Sequence, residues 1–313
     1  MAQGQTEHDA LRIDPLMPAE VARKAEMIGA QKTRQDFTTL FTLSILGGAF
    51  ISFGAVFATT VLAGAGGVVP YGLQRLFAGP VFSLGLVLIV VSGAELFTGN
   101  TLMVMAVASR KVTLREMLRA WAISYAGNFV GAVGTALLVF LSGQYRFGGA
   151  DVGKVALDLA VTKVNWSFEQ AFFLGVLCNL LVCLAVWMSF AARTTTDKIL
   201  VTLLPISAFV AAGFEHSVAN MYFISIALLI KQFAPVELWD ALGMTAAGVA
   251  TLTWPAFVRS LVPVTLGNIV GGSVLVGAVY WFIYLCPRPL SRAAASHHPS
   301  RPLRASSDSR PGP

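Results

Sequence analysis

Charge is what this sequence has least of. Asp, Glu, Lys and Arg supply 12% of its 313 residues and apolar types 56%, a charged share about half that of an ordinary soluble chain. Mean hydropathy is +0.70. So few charges cannot cover a water-facing surface. That excludes the two soluble domains the length would otherwise allow, and makes the lipid bilayer the main partner. Cysteine is also scarce. Cys178, Cys183 and Cys286 lie in apolar runs at spacings that fit no zinc or disulfide framework, so they read as small apolar packing. Of the histidines, His297 and His298 are adjacent without partners, a poor metal site. With no paired haem histidines and no cysteine cluster, the chain is not expected to be an enzyme, and no metal or cofactor is implied. A signal peptide is missing too: the first 35 residues hold no short apolar run with a small-residue cleavage site, and the chain is expected to begin at or near Met1.

What is present begins with a polar lead. Met17-Pro18-Ala19-Glu20 reads as a helix start, and Val21, Ala22, Ala25, Ile28 and Gly29 share a face that Lys32 ends. Residues 1–35 are thus an N-terminal amphipathic helix region, lying on the membrane or on its own protein; a mobile plug at a channel mouth is the alternative. At the other end, residues 288–313 carry five arginines and no apolar period, the composition of a disordered tail.

Between them, residues 36–287 divide into six apolar stretches: Phe37–Gln74, Leu76–Ser109, Ala120–Tyr145, Gln170–Ala192, Ile199–Ile230 and Ser260–Cys286. Each exceeds the roughly 20 residues that cross a hydrocarbon core. A seventh candidate, Ala241–Val258, holds glycines, threonines and Pro255 and reads as a loop or re-entrant piece. Six spans put both termini on one side, with 16 of the 22 Lys and Arg, against 6 opposite. A seventh span would leave 12 against 10. By the positive-inside rule six spans fit better, with both termini cytoplasmic. The net charge of +6 is therefore orientation, not a sign of nucleic acid.

Leu76–Ser109 and Ile199–Ile230 run to 34 and 32 residues, roughly 50 Å of helix against a core of about 30 Å. Each has a polar interruption: Gly93-Ala94-Glu95-Leu96-Phe97-Thr98-Gly99-Asn100 and Gly213-Phe214-Glu215-His216-Ser217-Val218-Ala219-Asn220 share G-x-E-x-x-x-x-N. The third span of each half also matches, Gly127-Asn128-Phe129-Val130-Gly131 with Gly267-Asn268-Ile269-Val270-Gly271. Two matches in one order indicate a duplicated three-span unit. An odd number of spans inverts the second copy. The expected fold is an all-α integral membrane protein with two inverted three-helix repeats and broken second and fifth helices. Broken helices bring positive N-termini to the midplane, a setting that favours an anion.

His216 is the one histidine in any span. A titratable group at that depth is a functional candidate, able to give an anion a hydrogen bond or a proton; the plain alternative is a histidine bonded between helices, to Asn268 or a threonine. Glu95 and Glu215 occupy equivalent positions, so symmetry favours a structural role, accepting backbone N–H bonds at the breaks. Asn100, Asn220, Asn128 and Asn268 are expected to satisfy freed backbone groups, with Asn268 also a candidate for the lumen. Thr98 can gate, bind, or be an ordinary loop threonine.

These strings, with Phe82-Ser83-Leu84-Gly85-Leu86, Lys163 and Pro263-Val264-Thr265-Leu266-Gly267-Asn268, resemble the formate/nitrite transporter family of bacterial anion channels, over about Arg34 to Pro287. The resemblance implies an aquaporin-like protomer in a homopentamer of the bacterial inner membrane, each protomer with its own pore. It implies a cytoplasmic constriction of Leu86 and Phe82, and a periplasmic one of Phe209 with Leu96 and Val182. It also implies a central His216 with Thr98 and Asn268 near it, Lys163 drawing anions to the periplasmic vestibule, a gating loop at the first break, and N-terminal helices over the cytoplasmic mouth.

Joined to the residues, this gives an expected mechanism. Two apolar rings bar a bare anion, because dehydrating charge is costly, and His216 lends a hydrogen bond or proton so that a nearly neutral species crosses. Conjugate bases of weak acids fit, formate first, with nitrite or hydrosulfide as alternatives, and with proton-coupled symport as the alternative to a pH-dependent channel. A neutral-solute channel of the aquaporin class would carry Asn-Pro-Ala at both breaks; neither break contains proline.

Overall fold

The computed structural model describes residues 15–245 and 247–287. Six helices among them are long and apolar enough to cross a membrane: Phe37–Leu62, Tyr71–Ser92, Leu114–Leu141, Phe168–Ala191, Thr195–Ala212 and Trp254–Tyr284, with shorter apolar helices Phe97–Ala108 and Ser217–Phe233 completing the second and fifth spans. The two halves form inverted repeats. First span packs on third, fourth on sixth, and second against fifth.

Each repeat opens with an amphipathic helix outside the spans, Pro18–Thr33 in the first and Asp151–Asn165 in the second. The chain then turns within a few residues into a span whose start is capped by a side chain. Asp36 accepts from the Thr39 N–H at 3.0 Å and Ser167 from the Gln170 N–H at 3.2 Å, filling donors that a helix start leaves free. Third and sixth spans approach first and fourth at glycine. A Cβ on Gly131 would meet the Ile45 carbonyl, and one on Gly271 the Val176 carbonyl, so these crossings hold helices at backbone contact.

The N-terminal helix lies on its own protein. Val21, Ala22 and Ala25 pack with Met105 and Trp187, while Lys32, which breaks its apolar stripe, turns inward to Glu95. The Asp151–Asn165 helix has no place in the sequence reading, where span-length apolar runs outweighed a short amphipathic period. Span boundaries also move; the third span, for one, runs Leu114–Leu141 and not Ala120–Tyr145, and two other starts bear on the site. The second span starts at Tyr71, taking Arg75 into its first turns, and the sixth at Trp254, its N-cap Thr253 accepting from the Ala256 N–H. Among the described residues 243–245 and 247–253 none is helical, so the seventh candidate is loop between the end of the short helix Val236–Leu242 and that cap. The sixth span passes through a π-helical stretch, Val270–Ala278, beside the first break. The tail at 288–313 lies outside the described residues.

Ser217–Phe233 is buried on every side from Ser217 to Leu228. A helix apolar all round belongs at a protein's centre, and this one stands between the repeats, packing on the third span, the Asp151–Asn165 helix and the first span.

Candidate functional site

At both breaks a helix ends on a left-handed glycine, Gly93 at φ 79° and Gly213 at φ 77°, a conformation costly for any residue with a Cβ. The chain then crosses three residues outside any helix, the last of them extended, before a new helix begins. The glutamate amides bond the Leu43 and Leu174 carbonyls of the first and fourth spans, and one asparagine per repeat takes further freed backbone groups. Asn128 accepts from the Phe97 N–H at 2.9 Å and donates to the Ser44 and Glu95 carbonyls at 2.7 and 2.9 Å. Asn268 accepts from the Ser217 N–H at 2.9 Å and donates to the Gly175 and Glu215 carbonyls at 2.8 and 3.0 Å. Both amides are fully used by backbone, and Asn268 lines none of the three cavities described below.

The motif glutamates do not bond backbone N–H as the sequence suggests; each carboxylate takes a lysine. Lys32 reaches Glu95 at 2.9 Å and the Asn100 amide oxygen at 3.1 Å. Lys163 reaches both oxygens of Glu215 at 3.0 and 3.1 Å, and Asn220 donates to Glu215 at 2.7 Å. Trp166 adds an N–H to Glu215 at 3.2 Å. The second partner of Asn100 is the Ser124 hydroxyl. Lys32 stands four residues before cap Asp36 and Lys163 four before cap Ser167. The duplicated unit therefore begins a helix earlier than the span pattern suggests, and that shared spacing is the signal that would have found Lys32.

One residue breaks the symmetry at the point that matters. Superposing the G-x-E-x-x-x-x-N strings sets Leu96 on His216, Leu86 on Ile206 and Ile89 on Phe209. His216 caps the central helix, its Nδ1 accepting from the Ala219 N–H at 3.1 Å. An accepting Nδ1 carries no proton, so the neutral ring holds its hydrogen on Nε2. Nε2 lies 3.0 Å from the Thr98 hydroxyl, and Phe209 stacks on the ring at 6.0 Å. Two of the central helix's N-terminal amides are already taken, Ser217 by Asn268 and Ala219 by His216; the imidazole Nε2–H faces the Thr98 hydroxyl, and the Ser217 hydroxyl is buried without a partner among the described residues.

Three cavities adjoin, the smallest sharing Leu86 and Leu96 with one neighbour and Phe82, Phe209 and His216 with the other. On the side of the termini, about 260 Å³ is bounded by Lys24, Lys32, Lys198, Glu95, Leu86 and Leu96. On the opposite side, about 50 Å³ is bounded by Arg75, Lys163, Phe82, Phe209, Phe223 and His216. Between them, about 10 Å³ is enclosed by Ile51, Phe82, Leu86, Leu96, Val182, Ile206, Phe209 and His216, at the limit of one water. The resemblance groups Phe82 with Leu86. Here Phe82 meets Phe209 edge-on at 5.6 Å and both face the outer cavity, whereas Leu86 and Leu96 face the inner one. Thr98 is fully buried behind His216.

Sequence reasoning missed Ile51, Ile206, Arg75 and Asn179. Asn179 donates to the Thr98 and Asn268 carbonyls at 3.1 and 2.6 Å, tying the breaks together. A lone amide in the apolar fourth span was its signal.

A charged entrance, apolar rings and a buried imidazole between inverted repeats describe a small-anion conduit, and comparison with known proteins agrees. Residues 19–282 match the profile of formate/nitrite transporters. The chain belongs to the formate/nitrite transporter family. It is 44% identical over 273 residues to the formate channel FocA of Escherichia coli K12, covering 87% of this chain and 95% of that one. To the formate channel FocA of Haemophilus influenzae it is 39% identical, at 87% and 96% coverage. Among solved structures it is similar to a pentameric formate channel with formate bound, at 44% identity and TM-score 0.76, covering 80% of this chain and 98% of that chain. An FNT family ion channel aligns at 27% identity and TM-score 0.72, over 84% and 98%. Membership makes the protein a multi-pass membrane channel of this family, a class of transporters rather than enzymes.

Proposed function

We propose that the protein passes formate across a bacterial inner membrane as a homopentamer, each protomer conducting separately, with both termini cytoplasmic, residues 1–35 at the cytoplasmic mouth and 36–287 as the channel. The formate and pentamer assignments draw on the relatives named above, and the orientation on basic-residue placement. The observation that carries the mechanism is His216 on the wall of the smallest cavity, its Nε2 3.0 Å from the buried Thr98 hydroxyl. Phe82 with Phe209, and Leu86, Leu96 and Val182, strip water from the anion at a cost apolar side chains cannot offset. The Nε2–H of His216 replaces part of the lost hydration, with the Thr98 hydroxyl beside it; alternatively Nδ1 releases the Ala219 N–H and takes up a proton, and the resulting imidazolium passes its Nε2 proton to formate and returns to neutral imidazole, so that formic acid crosses the rings. Lys163 belongs to the outer vestibule.

Formate flux in proteoliposomes across a pH series tests this, with His216→Phe beside the parent chain. Loss of the pH dependence in the variant is expected; an unchanged profile would sink the proton-lending step. In the same preparations, ohmic formate currents identify a channel and electroneutral uptake a proton symporter. Nitrite and hydrosulfide as test anions rank the substrates.

A further inference from the structure

Each mouth of the route has a lysine whose charge is already spent. Lys163 is bound to both oxygens of Glu215 and Lys32 to Glu95. An ion pair acts at a distance as a dipole, and its attraction for an incoming anion fades much faster than that of an isolated charge. The outer cavity contains a second cation. Arg75 lines it opposite Lys163 and, among the described residues, has no carboxylate within ion-pair distance. Its guanidinium is moored instead on neutral carbonyls, those of Val210 and Ala211, at the end of the Thr195–Ala212 helix just before the second break. A helix C-terminus carries about half a negative charge, so about half of the guanidinium's charge is left uncompensated, where a carboxylate would cancel it.

The inner cavity repeats the arrangement with different residues. Lys24 donates to the Phe190 carbonyl at 2.8 Å, in the last turn of Phe168–Ala191. Lys198 lines the same cavity and makes no ion pair among the described residues. Burial, then Lys198, then Arg193 hold the Lys24 ammonium below the usual lysine range.

We propose that the charge gathering anions into the route resides in Arg75 on the outer side and in Lys198 with Lys24 on the inner side, not in the break lysines Lys163 and Lys32, whose pairs with glutamate are structural. Arg75 is thus a positioning residue for a small anionic substrate, on the wall of the same outer cavity that His216 borders. The proposal rests on reading the two cavities as ends of one formate route.

The test is formate flux from each side of oriented proteoliposomes, at low and high ionic strength. Arg75→Gln is expected to raise the half-saturating concentration for entry from the outer side about three- to tenfold and to remove most of the salt sensitivity there. The effect falls on half-saturation rather than maximal flux. Arg75→Lys keeps the charge without the forked carbonyl cap and is expected to recover most of the capture. Lys198→Gln is expected to do the same for entry from the inner side alone. If Arg75→Gln fails to assemble, Arg75→Lys and Lys198→Gln carry the comparison. Unchanged outer capture in Arg75→Gln, Arg75→Lys as impaired as Gln, or salt sensitivity unaltered in Lys198→Gln would each overturn the proposal. Absence of formate flux in the parent chain is a different failure, of the formate reading beneath it.

Discussion

At the first break the chain runs from Gly93 to Leu96 and resumes in three short pieces: Phe97–Asn100, a 3₁₀ turn at Thr101–Met103, and Val104–Ala108. At the second it runs from Gly213 to His216 and resumes as one buried helix of 17 residues. Glycine, glutamate, its lysine and the clamping asparagine stand at matching places in both. Five positions differ, among them the two nearest the centre of the route, Leu96 against His216 and Thr98 against Val218; Ala94, Phe97 and Gly99 against Phe214, Ser217 and Ala219 are the others. Duplication has kept what holds a broken helix in a bilayer and let diverge what meets the anion. Symmetry therefore sorts scaffold from chemistry.

The strongest test of that sorting is the clamp. Asn128→Ala or Asn268→Ala strips three buried backbone groups of partners, at about 1–3 kcal/mol each, against a total stability of about 5–15 kcal/mol. Both variants are expected to lose folded protein almost entirely in size-exclusion profiles from detergent, and to similar extents. Survival of one would break the equivalence of the repeats.

His216→Leu sharpens it from the other side by giving the second break the residue of the first. The fold should persist, while formate flux falls roughly ten- to a hundredfold, corresponding to one hydrogen bond to a charged group at about 1.5–3 kcal/mol. A variant that conducts normally would show that the imidazole is scaffold after all.

A smaller, graded difference is expected at the lysines. Lys163 is 11% exposed and Lys32 28%, and removing one member of a buried pair costs up to about 3–5 kcal/mol. Lys163→Met should lower the thermal midpoint in detergent more than Lys32→Met. Adding Glu215→Gln or Glu95→Gln should restore part of each loss, because the stranded carboxylate then disappears.

Much of this was legible beforehand because a bilayer simplifies the reading. Span count, inversion and break positions follow from apolar length and two repeated strings, and His216 stands out as the lone deep histidine. What stayed hidden depends on partners far apart in sequence. Glu95 and Glu215 were recognised as structural, yet their lysines lie 63 and 52 positions away, on helices too short and mixed to register as part of a repeat. Arg75 looked like loop charge because apolar content alone cannot place a helix start before Leu76. Phe82 groups with Phe209 only once the second and fifth spans cross.

The slightest expected contrast lies at the entrances to the repeats. Asp36 and Ser167 cap equivalent spans, but only Asp36 ionises. Hydrogen bonds from the Thr39 backbone hold its carboxyl below the usual range. A depressed carboxyl contributes stability that is fully present above its unfolded value near pH 4 and is lost as pH falls through the folded value. Amide exchange over residues 37–41, corrected for the intrinsic pH dependence, should therefore rise on acidification toward pH 3, while residues 168–172 stay level. Asp36→Ser should make the two entrances alike. Equal acid sensitivity at both in the parent chain would mean that fraying there follows the lead-in helices and not the caps, and the first repeat would then owe its start to the Lys32–Glu95 anchor.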